Sequence, residues 1–249
     1  MIEIRNLDKC YNMGKGTEIQ ALKQINLTVT GGEFVVVVGS NGSGKSTLLN
    51  VIAGSVVPDS GLIFLDKTNV TGIKEHLRTK FVSRVFQNPL AGTASDLTIL
   101  DNFRLAALRT QPKTLRIGVN EVFRRVVREK IAGLNMGLED KVDQLMGTLS
   151  GGQRQALTLL MSVMDKGNIL LLDEPTAALD PRSAKTVMQI ADKLIAEYRL
   201  TGILITHNIR EAYTYGSRII QMKQGELIRD LDTSAKANLS NTEIYEWFD

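Results

Sequence analysis

The sequence lacks several features, and each absence excludes a class of protein. Its single cysteine, Cys10, cannot form a disulfide within the chain, which predicts a reducing compartment. No apolar run reaches the roughly 18 residues that a membrane span requires. The best candidate, residues 156–164, is interrupted by Thr158 and Ser162 and predicts a core helix instead. The formal net charge of +3 is too small to imply a nucleic-acid partner.

The rest of the composition is that of a globular protein. The 249 residues are 43% hydrophobic and 23% charged, which argues against disorder. They suffice for one large domain or two small ones. Residues 1–5 include an acidic residue, Glu3, and alternate apolar with charged side chains, which is unlike a signal peptide. We therefore expect a cytosolic protein that binds to another cellular component.

The stretch from Phe34 to Thr47 carries the strongest motif. An apolar run, Phe34 to Val38, precedes a match to G-x-x-x-x-G-K-S/T that extends from Gly39 to Ser46. This order predicts a buried strand, a phosphate loop and a helix, with backbone N–H groups directed at phosphate oxygens. Lys45 can reach the β- and γ-phosphates, and the Ser46 hydroxyl can ligate Mg²⁺. The candidate nucleotide-binding residues are Gly39, Ser40, Asn41, Gly42, Ser43, Gly44, Lys45, Ser46 and Thr47.

Alternating apolar residues precede this motif and predict an antiparallel β layer that leads into a parallel sheet. They are Ile2, Ile4, Leu7, Ile25, Leu27 and Val29. Tyr11 lies in this layer ahead of the phosphate loop. Its ring could stack on an adenine, although core or surface packing explains this residue better when it is taken on its own.

A helical insertion is predicted between about Pro89 and Lys166, where the strand patterns end. Residues 99–108 predict one helix, and a second carries apolar residues at helical spacing. These are Val119, Val122, Phe123, Val126, Val127, Ile131 and Leu134. The opposite face carries Arg124, Arg125, Arg128 and Lys130, which indicates a solvated face or, as an alternative, a face near anionic lipid.

This insertion ends in a second candidate anion site. Ser150 is a good N-cap for the following helix, and Gly151 and Gly152 present its N–H groups without side chains. A capped helix without a ligand explains the same residues equally well.

Acidic and polar residues follow the remaining strands. A buried strand ends in Asp173 and Glu174, where ligands bind in α/β folds. Asp173 would hold Mg²⁺, and Glu174 would take a proton from an attacking water. Gln87 and His207 also follow predicted strands and could reach a metal ion and a γ-phosphate. Further along, Asp180 and Pro181 begin a helix, and residues 240–243 predict a capping box near the C-terminus.

Together these motifs resemble those of the ATP-binding cassette (ABC) family along essentially the whole chain. The matching elements are Gly39 to Ser46 (Walker A), Gln87 (Q-loop), Leu149 to Gln153 (signature), Leu170 to Glu174 (Walker B and glutamate), Ala178 to Asp180 (D-loop) and His207 (switch). The resemblance implies a single α/β domain, residues 1–249. Its P-loop NTPase core (1–88 and 167–249), a mixed sheet with an antiparallel β layer, would carry an inserted helical subdomain (89–166).

The resemblance also implies roles for the site residues. Glu174, His207, Gln87 and Lys45 would be catalytic, and Ser46, Gln87 and Asp173 would hold Mg²⁺. Tyr11 would stack on the adenine of ATP. In a head-to-tail homodimer, ATP on one subunit would be covered by the signature of the other, namely Ser150, Gly151, Gly152 and Gln153.

Three short segments are similar to the sequences of one bacterial subgroup of the family. They are Gly92 to Ser95, Gln153 to Met161 and Thr206 to Asn208. That subgroup accompanies a separate permease and an extracytoplasmic binding protein and is linked to uptake of amino acids. We therefore expect an ATP-hydrolysing importer subunit, peripheral on the cytoplasmic face of the cell membrane.

Two other functions remain open at this point. An exporter or lipoprotein-release ATPase also has an insertion like that at residues 12–16. A soluble ABC ATPase of iron–sulfur assembly has a compatible architecture. DNA-repair cassettes carry a long coiled coil, and translation cassettes come in pairs within one chain, so neither fits.

Overall fold

The computed structural model describes residues 1–14, 16–109, 118–165, 167–239 and 241–247. The strands are β1 (Ile2–Tyr11), β2 (Ile19–Val29), β3 (Phe34–Val38), β4 (Ser60–Leu65), β5 (Thr68–Asn69), β6 (Val82–Val85), β7 (Ile169–Asp173), β8 (Thr201–Ile205), β9 (Arg218–Lys223) and β10 (Glu226–Leu231). The helices are α1 (Lys45–Ala53), α2 (Glu75–Arg78), α3 (Ile99–Ala107), α4 (Glu121–Ala132), α5 (Gly151–Ser162), α6 (Pro181–Tyr198), α7 (Ile209–Thr214), α8 (Thr233–Ala237) and α9 (Asn241–Tyr245). The predicted capping box at residues 240–243 includes residues outside this description.

The strands form two sheets within the described ranges, as the sequence predicts. One is antiparallel, in the order β2-β1-β4-β5. The other has the order β10-β9-β3-β8-β7-β6, and all its pairs are parallel except β9 with β10. The predicted α/β fold, with a mixed sheet and an antiparallel layer, is therefore confirmed.

The central strands of the mixed sheet, β3, β8 and β7, are buried on both faces, which explains their nearly continuous apolar sequences. Along β3, Val35 and Val37 pack with α1 and the antiparallel sheet, whereas Val36 and Val38 pack with α5 and α6. This alternation follows from the two-residue period of a strand. The two hydrophobic cores consequently lie on opposite faces of one sheet, and both hold the phosphate loop's strand in place.

The second helix of the insertion buries only part of its apolar face. In α4, Val127 and Ile131 are buried, but Val122 is 63% exposed. The buried stripe is narrow because, among the described elements, α4 makes its larger contacts only with α3 and α5. Within the described residues, no helix is both long and apolar enough to cross a bilayer.

The cations of α4 are partly neutralised by the segment that follows the helix. Arg124 donates to Asp143 at 2.5 Å, and Arg128 donates to Asp140. These pairs favour the solvated-face interpretation over a lipid-binding face.

A buried arginine holds the C-terminal end of α1. Arg78 is 1% exposed, and its Nη1 donates to the carbonyls of Val51 (2.7 Å) and Ile52 (3.0 Å). Its Nε and Nη2 donate to the carbonyls of Ile73 (2.9 Å) and Thr71 (3.0 Å). A cation at this end is also favoured by the helix dipole. The guanidinium thus joins α1 to the segment before β6.

We predict that Arg78→Met lowers the free energy of unfolding by about 2–4 kcal/mol, because four carbonyls, two of them buried, lose a charged donor. Denaturant titration should show a lower midpoint at an unchanged slope. The control is Arg125→Met, at an exposed arginine on α4. Equal midpoints for the two variants would contradict the anchoring role of Arg78.

Candidate active site

The parallel strands bring four chain segments to one edge of the sheet. Because β3, β8, β7 and β6 run in the same direction, their C-terminal ends lie side by side. The residues that follow them are Gly39, Thr206 with His207, Glu174, and Phe86 with Gln87. This edge is where α/β folds bind ligands.

Two glycines of the phosphate loop are required by close backbone contacts. A Cβ at Gly39 would lie 2.1 Å from the carbonyl oxygen of Met222. A Cβ at Gly44 would lie 2.3 Å from that of Ala21, and both glycines have positive φ. Only glycine therefore fits at either end of the loop.

The Lys45 ammonium is buried inside this loop. Its side chain is 4% exposed, and Nζ donates to the carbonyls of Gly39 (2.7 Å) and Ser40 (2.8 Å) and to Ser43 Oγ (3.3 Å). Burial lowers the pKa of Lys45, and the charges of Glu174 and Asp173 act in the opposite direction. The loop is thus closed on its own cation, and a phosphate would take the place of these acceptors.

Glu174 is held by two of the other predicted catalytic residues. His207 Nε2 lies 2.6 Å from Glu174 Oε1, and Gln87 Nε2 donates to Glu174 Oε2 at 3.3 Å. Glu174 has φ 47°, a conformation that costs energy for a residue with a Cβ. The structure therefore brings Glu174, His207 and Gln87 into one cluster, and Lys45 interacts with it electrostatically.

Asp173 has a different partner that the sequence analysis missed. Arg84 Nη2 donates to Asp173 Oδ2 at 2.5 Å, and Arg84 Nη1 donates to Asn50 Oδ1 at 2.7 Å. The guanidinium also lies 4.7 Å from the ring centroid of Phe86. A cation within an otherwise apolar strand was the signal that could have revealed this pair.

Glu211 is a second functional candidate that the sequence analysis missed. It is buried, and its carboxylate accepts from Thr176 Oγ1 at 2.7 Å and from Thr206 Oγ1 at 2.6 Å. It therefore ties the segment after Glu174 to the residue before His207. Its position three residues after the α7 N-cap, Asn208, was the only local signal.

The residues predicted to hold Mg²⁺ carry oxygen donors of the kind that this ion prefers. Ser46, Gln87 and Asp173 offer a hydroxyl, an amide oxygen and a carboxylate, which are hard ligands. In the described part of the chain, no group of three His, Cys, Asp or Glu residues forms a metal-binding cluster. Mg²⁺ commonly binds with one or two protein oxygens, completed by water and phosphate.

The start of α5 is separate from the phosphate loop. The predicted cap of Ser150 is present as a capping box: Ser150 Oγ accepts from the Gln153 N–H (3.3 Å), and Gln153 Oε1 accepts from the Ser150 N–H (3.1 Å). Gly152 faces α6, because a Cβ there would lie 2.7 Å from that of Ser183. Among the described residues, no hydrogen bond joins Ser150, Gly151, Gly152 or Gln153 to the loop at residues 39–47.

Tyr11 lies in the antiparallel sheet, at the end of β1. Lys9 Nζ is 5.6 Å from its ring centroid, and Lys9 is paired with Asp59 at 2.8 Å. Asp59 also accepts from the Cys10 N–H at 2.5 Å. These contacts hold the strand end that carries the ring.

Comparison with known proteins assigns these features to one family. Residues 22–177 match the family model described as ABC transporter. The chain is 39% identical, over 100% of its length and 99% of the relative, to the tyrosine transport ATP-binding protein of Clostridioides difficile (strain R20291). It is 35% identical to the phosphonates import ATP-binding protein PhnC 1 of Ruegeria sp. (strain TM1040), covering 92% of this chain and 88% of the relative.

Solved structures agree with this assignment. The dimeric bacterial ABC transporter cassette MJ0796 superimposes with a TM-score of 0.80 at 32% identity, covering 94% of this chain and 99% of the other. A dimeric post-hydrolysis state of MJ0796 bound to ADP and phosphate gives a TM-score of 0.79 at 31% identity, with the same coverage.

We predict that Lys45→Ala weakens ATP binding at least about tenfold, because a hydrogen bond to a charged group contributes about 1.5–3 kcal/mol. Equilibrium titration with a fluorescent ATP analogue would measure the change. The control is Lys193→Ala, at an exposed lysine on α6. Unchanged affinity in Lys45→Ala would refute the assignment of the phosphate loop.

Proposed function

This chain belongs to the ABC transporter family and is an ATPase, and we propose that it drives a separate permease for the uptake of a small substrate of the amino-acid class. The observation that carries this proposal is the match, along nearly the full length of both chains, to a relative named as a tyrosine transport ATP-binding protein. The active form would be a homodimer held together by ATP.

The separation of the two candidate anion sites supports the dimer. The phosphate loop has the cluster of Glu174, His207 and Gln87 beside it, whereas the capped start of α5 has no hydrogen bond to that loop within the described residues. A head-to-tail arrangement would place the α5 start of one subunit over the ATP of the other. The dimeric state of the MJ0796 cassette agrees with this arrangement.

Each residue of the sheet edge then has a defined task. Lys45 and the loop N–H groups bind the β- and γ-phosphates, and Tyr11 stacks on the adenine. Ser46, Asp173 and Gln87 would hold Mg²⁺, which neutralises charge on the phosphates. Ser150, Gly151, Gly152 and Gln153 of the partner subunit would close the site.

Glu174 acts as the general base. In the structure its carboxylate is held by His207 and Gln87, so both partners would have to turn away before it could accept a proton from water. With ATP bound, His207 would contact the γ-phosphate and Gln87 would be available to Mg²⁺, which would leave Glu174 free for this role. Because half of each site would come from the other subunit, hydrolysis would be slow until the dimer closes.

The permease would contact the surface next to Gln87, on the cytoplasmic face of the membrane. Leu90 is 58% exposed there, and Asp96 is also exposed. A permease helix on this surface would be displaced when Gln87 changes partner. An extracytoplasmic binding protein would deliver the substrate from the other side.

We predict that Glu174→Gln binds ATP but loses turnover by about 10²–10⁴-fold, because the shape is kept and the base is removed. The trapped ATP should convert the monomer to a dimer, as measured by size-exclusion chromatography with ATP and Mg²⁺. Glu197→Gln, on an exposed face of α6, is the control. Wild-type turnover in Glu174→Gln would contradict the base assignment, and a persistent monomer would contradict the ATP-held dimer.

The permease contact can be tested by cross-linking in a Cys10→Ala background. Cysteines introduced at Leu90 and Asp96 should cross-link to a separate membrane protein in cells, with a yield that changes on addition of ATP. A cysteine at Val57, an exposed position after α1, is the control and should give no such product. A protein that stays wholly soluble beside its permease, with no cross-link, would favour the soluble-ATPase alternative.

A further inference from the structure

A fully buried glutamine connects the segments that carry Gln87 and Glu174. Gln155 lies on α5, five residues after Ser150, and is 1% exposed. Its Nε2 donates to the carbonyl of Phe86 at 2.8 Å and to the carbonyl of Pro175 at 3.0 Å. Phe86 directly precedes Gln87, and Pro175 directly follows Glu174. Both hydrogens of the amide nitrogen are thus committed to these two segments.

Gly151, at the start of α5, packs next to apolar side chains. A Cβ at Gly151 would lie 3.2 Å from Leu179 and 3.7 Å from Pro89. Contacts of this kind tolerate sliding, whereas a hydrogen bond constrains both distance and angle. Gln155 therefore supplies a directional link between α5 and the two catalytic segments.

We propose that Gln155 is a positioning residue that transmits the engagement of ATP by the start of α5 to Glu174 and Gln87 of the same subunit. The inference rests on the proposed dimer, in which α5 of one subunit covers the ATP of the other. Gln155 would then couple the two ATP sites: closure over the partner's nucleotide would set the catalytic residues of the subunit's own site.

The buried position of the link explains why it transmits movement. A carbonyl that loses its donor away from solvent costs free energy, so the buried Pro175 carbonyl and the partly buried Phe86 carbonyl would follow the amide when α5 shifts. The capping box at Ser150 makes the first turn of α5 move with the rest of the helix. Coupling of this kind between two equivalent sites appears as cooperativity in ATP concentration.

The test compares Gln155→Met with Thr158→Val. Methionine has a similar size but no donor. Thr158 is buried on the same helix, and its hydroxyl donates only to the Arg154 carbonyl of α5, at 2.9 Å. Loss of that bond perturbs the helix without cutting the link. The measurements are thermal unfolding, ATP affinity of the monomer, and ATPase rate against ATP concentration.

We expect wild-type hydrolysis to be cooperative. Gln155→Met should bring the Hill coefficient to about 1 and lower kcat at least about tenfold, within the usual range of coupling between sites. Its ATP affinity as a monomer should change by less than about threefold, because the phosphate loop is untouched. Thr158→Val should stay cooperative even at an equal loss of melting temperature.

If Gln155→Met does not fold, Gln155→Asn replaces it in the test. Asparagine keeps the amide but is one methylene too short to span both carbonyls, so the same loss of cooperativity and kcat is expected.

Two outcomes separate this inference from the proposed function. If Glu174→Gln forms no dimer with ATP, the proposed function fails first. If that dimer forms, the inference is overturned by a wild-type Hill coefficient of 1, by retained cooperativity in Gln155→Met, or by an equal loss in Thr158→Val.

Discussion

The parallel pairing of β3 with β8, and of β8 with β7, is the constraint on which the rest of the structure depends. A parallel sheet must be covered on both faces, so its strands are mostly apolar and have little freedom to change register. Two hydrophobic cores hold it from opposite sides. The loops at its C-terminal edge are consequently held on rigid strand ends, and the side chains of the site inherit that rigidity.

The site separates two adjacent carboxylates by giving them different partners. Asp173 is paired with Arg84, a permanent cation that is itself anchored on Asn50 and Phe86. Glu174 is held by His207 and Gln87, neither of which is a permanent cation. In the proposed mechanism, the first carboxylate stays on its cation and the second is released for proton transfer. This division suits a metal ligand beside a general base.

Buried polar side chains connect the motifs across the domain. Glu211 joins the segments that flank Glu174 and His207, and Gln155 joins those that flank Gln87 and Glu174. Each of these groups satisfies two partners, because an unpaired polar atom in the interior is costly. These hydrogen bonds are the contacts through which the proposed coupling between motifs would act.

The sequence by itself determined the features that depend on neighbouring residues. The phosphate loop follows from its glycines, and the helix starts at Ser150 and Asp180 follow from side chains that cap nearby N–H groups. The strands follow from their apolar patterns, and the motif order identified the family. The loop, the helix starts and the strands are set by interactions within a few residues, which is why a single sequence is enough to predict them.

Only the tertiary structure decided the contacts between distant residues. Arg84 and Asp173 are 89 positions apart, Gln155 and Phe86 are 69 apart, and Glu211 and Thr176 are 35 apart. These pairs exist because the strand order sets β6 beside β7 and β7 beside β8, and no local pattern specifies that order. The exposure of Val122 has the same origin, since a helical apolar pattern does not say how wide a face its neighbours will cover.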